Sequence, residues 1–330
     1  MDRTRLRLSS ALLLAHATCG GQTCAAPLPS GSGSVTESRF ETLFAAALAE
    51  RGPAYLTARQ AVLGLGPAAL PELKARRTST DWRVALQANI LTGWLTSASL
   101  FRRCVDFVDG KLPGDPGITG TFGPKKRAAA VAELGPTVTP CLLELVMKVR
   151  GIDAEQKAAA FTSLQAMRDR SAATPLISLL ADDDPDIRRS AAGVLGSFDD
   201  PSAVPPLLTL LEDARQPPAV RVSAAGSLGA LGASQAAPIL RDIVGNERLD
   251  LNLRGAAART LAQLKDSQST GVLVSAASGA TDLTFLQILI ETLGAIGDDS
   301  ALPFLHAMSK HHDEFIREAA GDAEQQLGAR

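Results

Sequence analysis

Aromatic residues are scarce in this chain of 330, at 4%, with a single Tyr and two Trp. Runs of β-branched and aromatic residues of strand type are equally hard to find, which argues against a sheet-built core. The apolar load, 45% of the residues, falls instead on Ala and Leu, both good helix formers. A nearly all-α chain follows. Cationic excess is missing too. The net charge is −2, and beyond the first eighteen residues 30 basic side chains face 34 acidic ones, a balance of −4. A protein that gains affinity by displacing counterions from phosphates carries a basic patch. Lys125-Lys126-Arg127 is too short to be one, so no nucleic-acid partner is expected.

The usual catalytic signatures are absent as well. There is no His-Glu-x-x-His, no paired Cys-x-x-Cys and no Gly-x-Ser-x-Gly. The Gly-rich stretch from Gly110 to Gly123 has no Gly-Lys-Ser/Thr and follows no strand, which excludes a nucleotide loop. His311-His312-Asp313-Glu314 holds metal-ligating residue types, but Asp313 is already needed as a helix cap. The sequence therefore predicts no metal, no cofactor and no enzymatic activity.

No apolar run is long enough to span a bilayer. The nearest is Leu8 to Ala15, preceded by Arg3, Arg5 and Arg7 and followed by the small residues of Ala15-His16-Ala17. That order is the order of a secretory signal, so residues 1–18 are expected to direct export. Two processing routes are open. Cleavage after Ala17 releases a soluble protein, whereas Cys19, followed by Gly20-Gly21, resembles the lipidated start of a bacterial lipoprotein. Residues 19–38 are then a linker. Periplasm, or an outer membrane reached only through that lipid, is the expected location.

What the chain does have is a period. Pro185-Asp186-Ile187-Arg188-Arg189-Ser190-Ala191-Ala192-Gly193-Val194-Leu195-Gly196 returns as Ala219-Val220-Arg221-Val222-Ser223-Ala224-Ala225-Gly226-Ser227-Leu228-Gly229. It returns again around Leu253-Arg254-Gly255-Ala256-Ala257-Ala258 and Phe315-Ile316-Arg317-Glu318-Ala319-Ala320. Arg83, Arg127 and Lys157 fill the same slot upstream. Pro71, Pro140, Pro175, Pro206, Pro238 and Pro303 each open an apolar segment, where a missing N–H costs nothing. Asp153, Asp184, Asp250, Asp282 and Asp313 recur ahead of the second segment, placed to cap its N–H groups. Three markers sharing one period define a unit of two helices, A and B. A single pair cannot bury its apolar face, so the units must stack.

The motif Pro-x-Ile/Val-Arg-x-x-Ala-Ala-x-x-Leu-Gly, with Gly-Asp-Asp-Ser-Ala at 297–301 in a connecting turn, resembles HEAT repeats of the short phycobilisome-lyase type. The resemblance is clear over 138–330 and weaker over 39–135, where Leu65-Gly66-Pro67 and Leu134-Gly135-Pro136 keep the junction signature. It implies an all-α solenoid over 39–330, and a binding platform with no single fixed activity. A non-enzymatic, monomeric scaffold for a protein partner is the function expected of it. A lyase or hydrolase, or a purely structural envelope component, is the alternative.

Candidate residues follow from the repeat and from its departures. Arg83, Arg127, Arg188, Arg221, Arg254 and Arg317 are expected to form a structural ladder, each paired with an Asp of the neighbouring repeat. The one long insertion, Gly110 to Gly123, is the expected partner site, with Phe107, Lys111, Ile118 and Phe122 as its contacts. Cys104 and Cys141 fall on neighbouring A helices at different depths, which predicts two separate core cysteines.

Overall fold

The computed structural model describes residues 37–111, 123–149 and 151–328, and no strand occurs among them. They form helices joined by short turns, and the chain divides between Pro175 and Leu176 into two compact units.

In the first unit the helices are α1 (Glu37–Ala49), α2 (Gly52–Leu63), α3 (Leu70–Arg76), α4 (Trp82–Thr96), α5 (Ala98–Val108), α6 (Pro124–Ala132), α7 (Thr139–Met147) and α8 (Ala154–Met167). Their core includes large side chains: Phe40, Tyr55, Phe101 and Leu142 are all fully buried. α9 (Ala173–Ser178) carries the chain across the junction.

The second unit repeats itself closely. A helices α11 (Val204–Glu212), α13 (Ala237–Gly245), α15 (Thr270–Ser278) and α17 (Leu302–Met308) alternate with B helices. The B helices are α10 (Pro185–Leu195), α12 (Pro218–Ala230), α14 (Leu251–Leu264), α16 (Leu283–Ile296) and α18 (Glu314–Gly328). Each B helix packs on the A segment before it, and consecutive B helices from α10 to α18 pack on one another. Ala191, Ala192, Ala224, Ala225, Ala257 and Ala258 are all fully buried in this row, so the paired alanines are its contact surface.

The local signals act where the sequence places them. Asp153, Asp184, Asp250, Asp282 and Asp313 each accept a backbone N–H of the following B helix, and Asp153 with Gln156 closes a capping box. Prolines stand in the first turn of α3, α7, α11, α13 and α17. Gly297 ends α16 at φ +81°, a left-handed turn that favours glycine, and Asp298 then caps the short turn Asp299–Ala301. No single helix among the described residues is long and apolar enough to cross a membrane.

Candidate functional site

The arginine ladder is structural in its contacts, but its acceptors are not the expected carboxylates. Arg221 donates from Nε to the Leu211 carbonyl at 2.8 Å, and Arg254 to the Val244 carbonyl at 2.9 Å. Both carbonyls end the preceding A helix, where four C=O groups lack helical partners. Arg188 reaches the carbonyls of Asp182 and Asp183, and Arg317 those of His311 and His312. Arg127 donates to the Val108 carbonyl and also meets Glu155 of α8 at 2.7 Å, so it alone of these five pairs with a carboxylate of the next helix pair. Arg83 lies over its neighbour Trp82. Apart from Arg83, the row ties each B helix back to carbonyls that end or follow the preceding A helix. Backbone carbonyls are present in every repeat whatever its sequence, whereas a matching Asp is not.

The expected contacts of the inserted loop divide. Phe107 is only 5% exposed and belongs to the core, so it offers no surface to a partner. Lys111 is held by Asp106 at 3.2 Å. Ile118 and Phe122 lie outside the described residues, as do residues 1–36 with the export segment and Cys19.

Cys104 and Cys141 are free thiols without solvent exposure. Burial first, and the neighbouring Cys104 thiol second, raise the Cys141 thiol well above its ordinary pKa. Cys141 Sγ also lies 3.7 Å from the Phe101 carbonyl, one turn before Cys104.

Beside them lies a polar cluster that no motif announced. Glu144 is 1% exposed and accepts three hydrogen bonds: from Tyr55 Oη at 2.7 Å, Arg59 Nη1 at 2.8 Å and Trp94 Nε1 at 2.7 Å. The Arg59 guanidinium stacks 4.6 Å from the centre of the Trp94 ring. Burial works against the Arg59 charge, but Glu144 and Tyr55 outweigh it and raise its pKa. Burial, followed by the Glu144 charge, lifts the Tyr55 hydroxyl well above its usual value. One turn on, Lys148 is pulled down to about 8, by burial first and by Arg51 second. Helices α2, α4 and α7 are thereby pinned at one buried carboxylate. Its oxygens are saturated by donors and closed to solvent, which suits a clamp better than a general base. A signal was available: Glu144 is the one charge in the apolar helix Thr139–Met147.

The second unit has a different character. From Leu176 onward the chain carries 12 Lys and Arg against 21 Asp and Glu, a net charge of −9; the residues before it carry 21 against 14, or +7. A groove of about 920 Å³ opens along the ends of α9 and α11, floored by Ile177, Leu180 and Leu210 and rimmed by Asp183 and Glu212. A smaller recess lies between α16 and α18, beside Phe315. No group of three or more His, Cys, Asp or Glu among the described residues is placed to hold a metal. His311 accepts the Asp313 N–H, and its ring lies 4.1 Å from that of His312.

A family model for HEAT repeats matches residues 139–226, 173–252 and 248–323, more than half of the chain. No curated protein sequence matches it. Among solved structures, Kap121p bound to Pho4p is similar with a TM-score of 0.51 and 11% identity, over 88% of this chain and 38% of Kap121p. The complex of CpcE and CpcF of phycocyanin lyase from Nostoc aligns at 20% identity over 78% of this chain and 94% of that one, with a TM-score of 0.33. Human deoxyhypusine hydroxylase aligns at 16% identity over 90% and 98%, with a TM-score of 0.36. The fold is an all-α solenoid of stacked helix pairs. The last two relatives are enzymes, which overturns the expectation that this chain catalyses nothing. Helices distant in sequence can contribute catalytic groups to one solenoid surface, so the absence of a local motif excludes little. At these identities the likenesses carry the fold and no particular activity.

Proposed function

Because this chain belongs to the HEAT-repeat family, we propose that it is a protein-binding scaffold of the bacterial envelope that engages its partner through its C-terminal unit. The groove of about 920 Å³ carries this reading. An aliphatic floor with a charged rim is the make-up of a cleft that buries apolar side chains and orients polar ones. The groove is built from two consecutive repeats, so its shape is set by stacking and persists without a ligand. The sequence of residues 1–18 supports an exported setting, with Cys19 as the point of any lipid attachment.

Affinity capture with the full chain from its native envelope tests the scaffold. A stoichiometric protein partner is expected, and the paired change Asp183→Lys with Glu212→Lys should weaken its retention about tenfold or more, as like charges meet across the rim. Turnover of a small molecule with no protein retained would replace this reading with an enzymatic one.

A further inference from the structure

The recess between α16 and α18 combines three features. Its volume is about 180 Å³, the scale of one side chain and not of a domain surface. Every ionisable residue lining it is acidic: Glu291 from α16, with Glu318 and Asp322 from α18. The Glu291 carboxylate accepts only from Gln287 of its own helix, and neither Glu318 nor Asp322 forms an ion pair among the described residues. Three carboxylates thus stand around one opening, none of them in an ion pair among the described residues.

Phe315 stands at the same opening and is 71% exposed, the most exposed large apolar side chain among the described residues. Its position is polar or small in the other repeats. Two residues after the capping aspartate stand Asp186, Asn252 and Thr284, and Ala219 fills the matching place in α12. The buried neighbour in each case is the next residue, Ile187, Leu253, Phe285, Val220 or Ile316. Packing therefore does not call for an aromatic here, and covering the exposed phenyl ring with a partner's side chain would be favourable. On the α18 surface, Phe315, Glu318 and Asp322 follow at i, i+3 and i+7, so ring and carboxylates share one face.

We propose that this recess is a docking slot for an arginine side chain on a basic segment of a protein partner. The proposal rests on the scaffold reading and names the chemistry of one contact in it. A guanidinium is flat enough to stack on the Phe315 ring and presents a fork of donors to carboxylates. An ammonium offers a point charge and no plane. The charge of −9 on this unit draws basic segments toward it before contact is made. A nucleic acid would be repelled by the same field.

Titration of the full chain with a fluorescein-labelled peptide of alternating Ala and Arg, in low salt, tests the slot. The same peptide with Lys for every Arg is the chemical control. Binding of the Arg peptide is expected to weaken about three- to fivefold in Phe315→Ala and about tenfold in Glu318→Gln with Asp322→Asn. The Lys peptide should bind several-fold less tightly than the Arg peptide. Asp299→Asn, an acidic residue of the same unit away from the recess, should change affinity less than twofold. These side chains are exposed, so the melting temperature should hold in every variant. Equal losses in Asp299→Asn and in the recess variants would reduce the effect to general acidity and overturn the slot. So would an Arg peptide indifferent to Phe315→Ala. A native partner that is captured by the parent chain and retained undiminished by Phe315→Ala would also sink the slot, while leaving the scaffold in place.

Discussion

Glu144 shows how much one buried charge can organise. Three donors from two other helices converge on it, and each has given up water to do so. Glu144→Ala should therefore lower stability by about 3–5 kcal/mol, measured by chemical denaturation, because it strands the Arg59 charge and two polar groups in the core. A loss below about 1 kcal/mol would show that water reaches the cluster and takes over the acceptor role. The ladder arginines behave differently. Arg221 and Arg254 answer to carbonyls that α11 and α13 must expose at their ends in any case. That an arginine recurs at this place was legible from the period, but its acceptor was not. A backbone carbonyl leaves no mark in the sequence, whereas the acidic residues in the turns are conspicuous and drew the expectation toward themselves.

At the scale of the element, the closing Leu-Gly of the motif has a physical cause in B-to-B contact. A Cβ at Gly196 would lie 2.8 Å from Ser227 Cα, and one at Gly294 would lie 2.8 Å from Ala323 Cα. Backbone cannot retreat as a side-chain tip can, so these glycines set how closely α10 meets α12 and α16 meets α18. Gly193, one turn earlier in α10, faces open space, with Ser223 Oγ at 4.0 Å. Two substitutions in the same stretch should thus have opposite signs. Gly196→Ala is expected to cost about 1–3 kcal/mol through overpacking. Gly193→Ala should gain up to about 1 kcal/mol, since alanine is the better helix former in an exposed interior position. Thermal melts of the two variants beside the parent decide the matter, and equal shifts would show that helix propensity alone governs both sites.

For the molecule as a whole, the proposed export segment and the proposed binding surfaces lie in different parts of the chain. If residues 1–18 direct export as proposed from their basic start, short apolar run and small residues, mass spectrometry of the native protein should find it beginning at Thr18 or at a lipid-modified Cys19. An intact Met1 in the cytoplasm would refute the envelope setting. The division of charge between the two units, +7 and −9, is a further whole-chain property, hidden when only the net value of −2 is considered. Electrostatic attraction of a partner depends on the local field, which a total averages away.

Periodicity determined most of the architecture without help. Helix pairs, their Asp caps, their leading prolines and their buried Ala pairs all depend on residues within one repeat, so local sequence suffices to place them. Burial of Phe107, the meeting of Tyr55 and Arg59 with Glu144, the seating of Cys141 against the Phe101 carbonyl, and the gathering of Glu291, Glu318 and Asp322 around Phe315 depend on residues far apart in the chain or on neighbouring helices. Those outcomes were decided only in the tertiary structure, because the stacking of helices fixes which side chains leave water and which face one another across a gap.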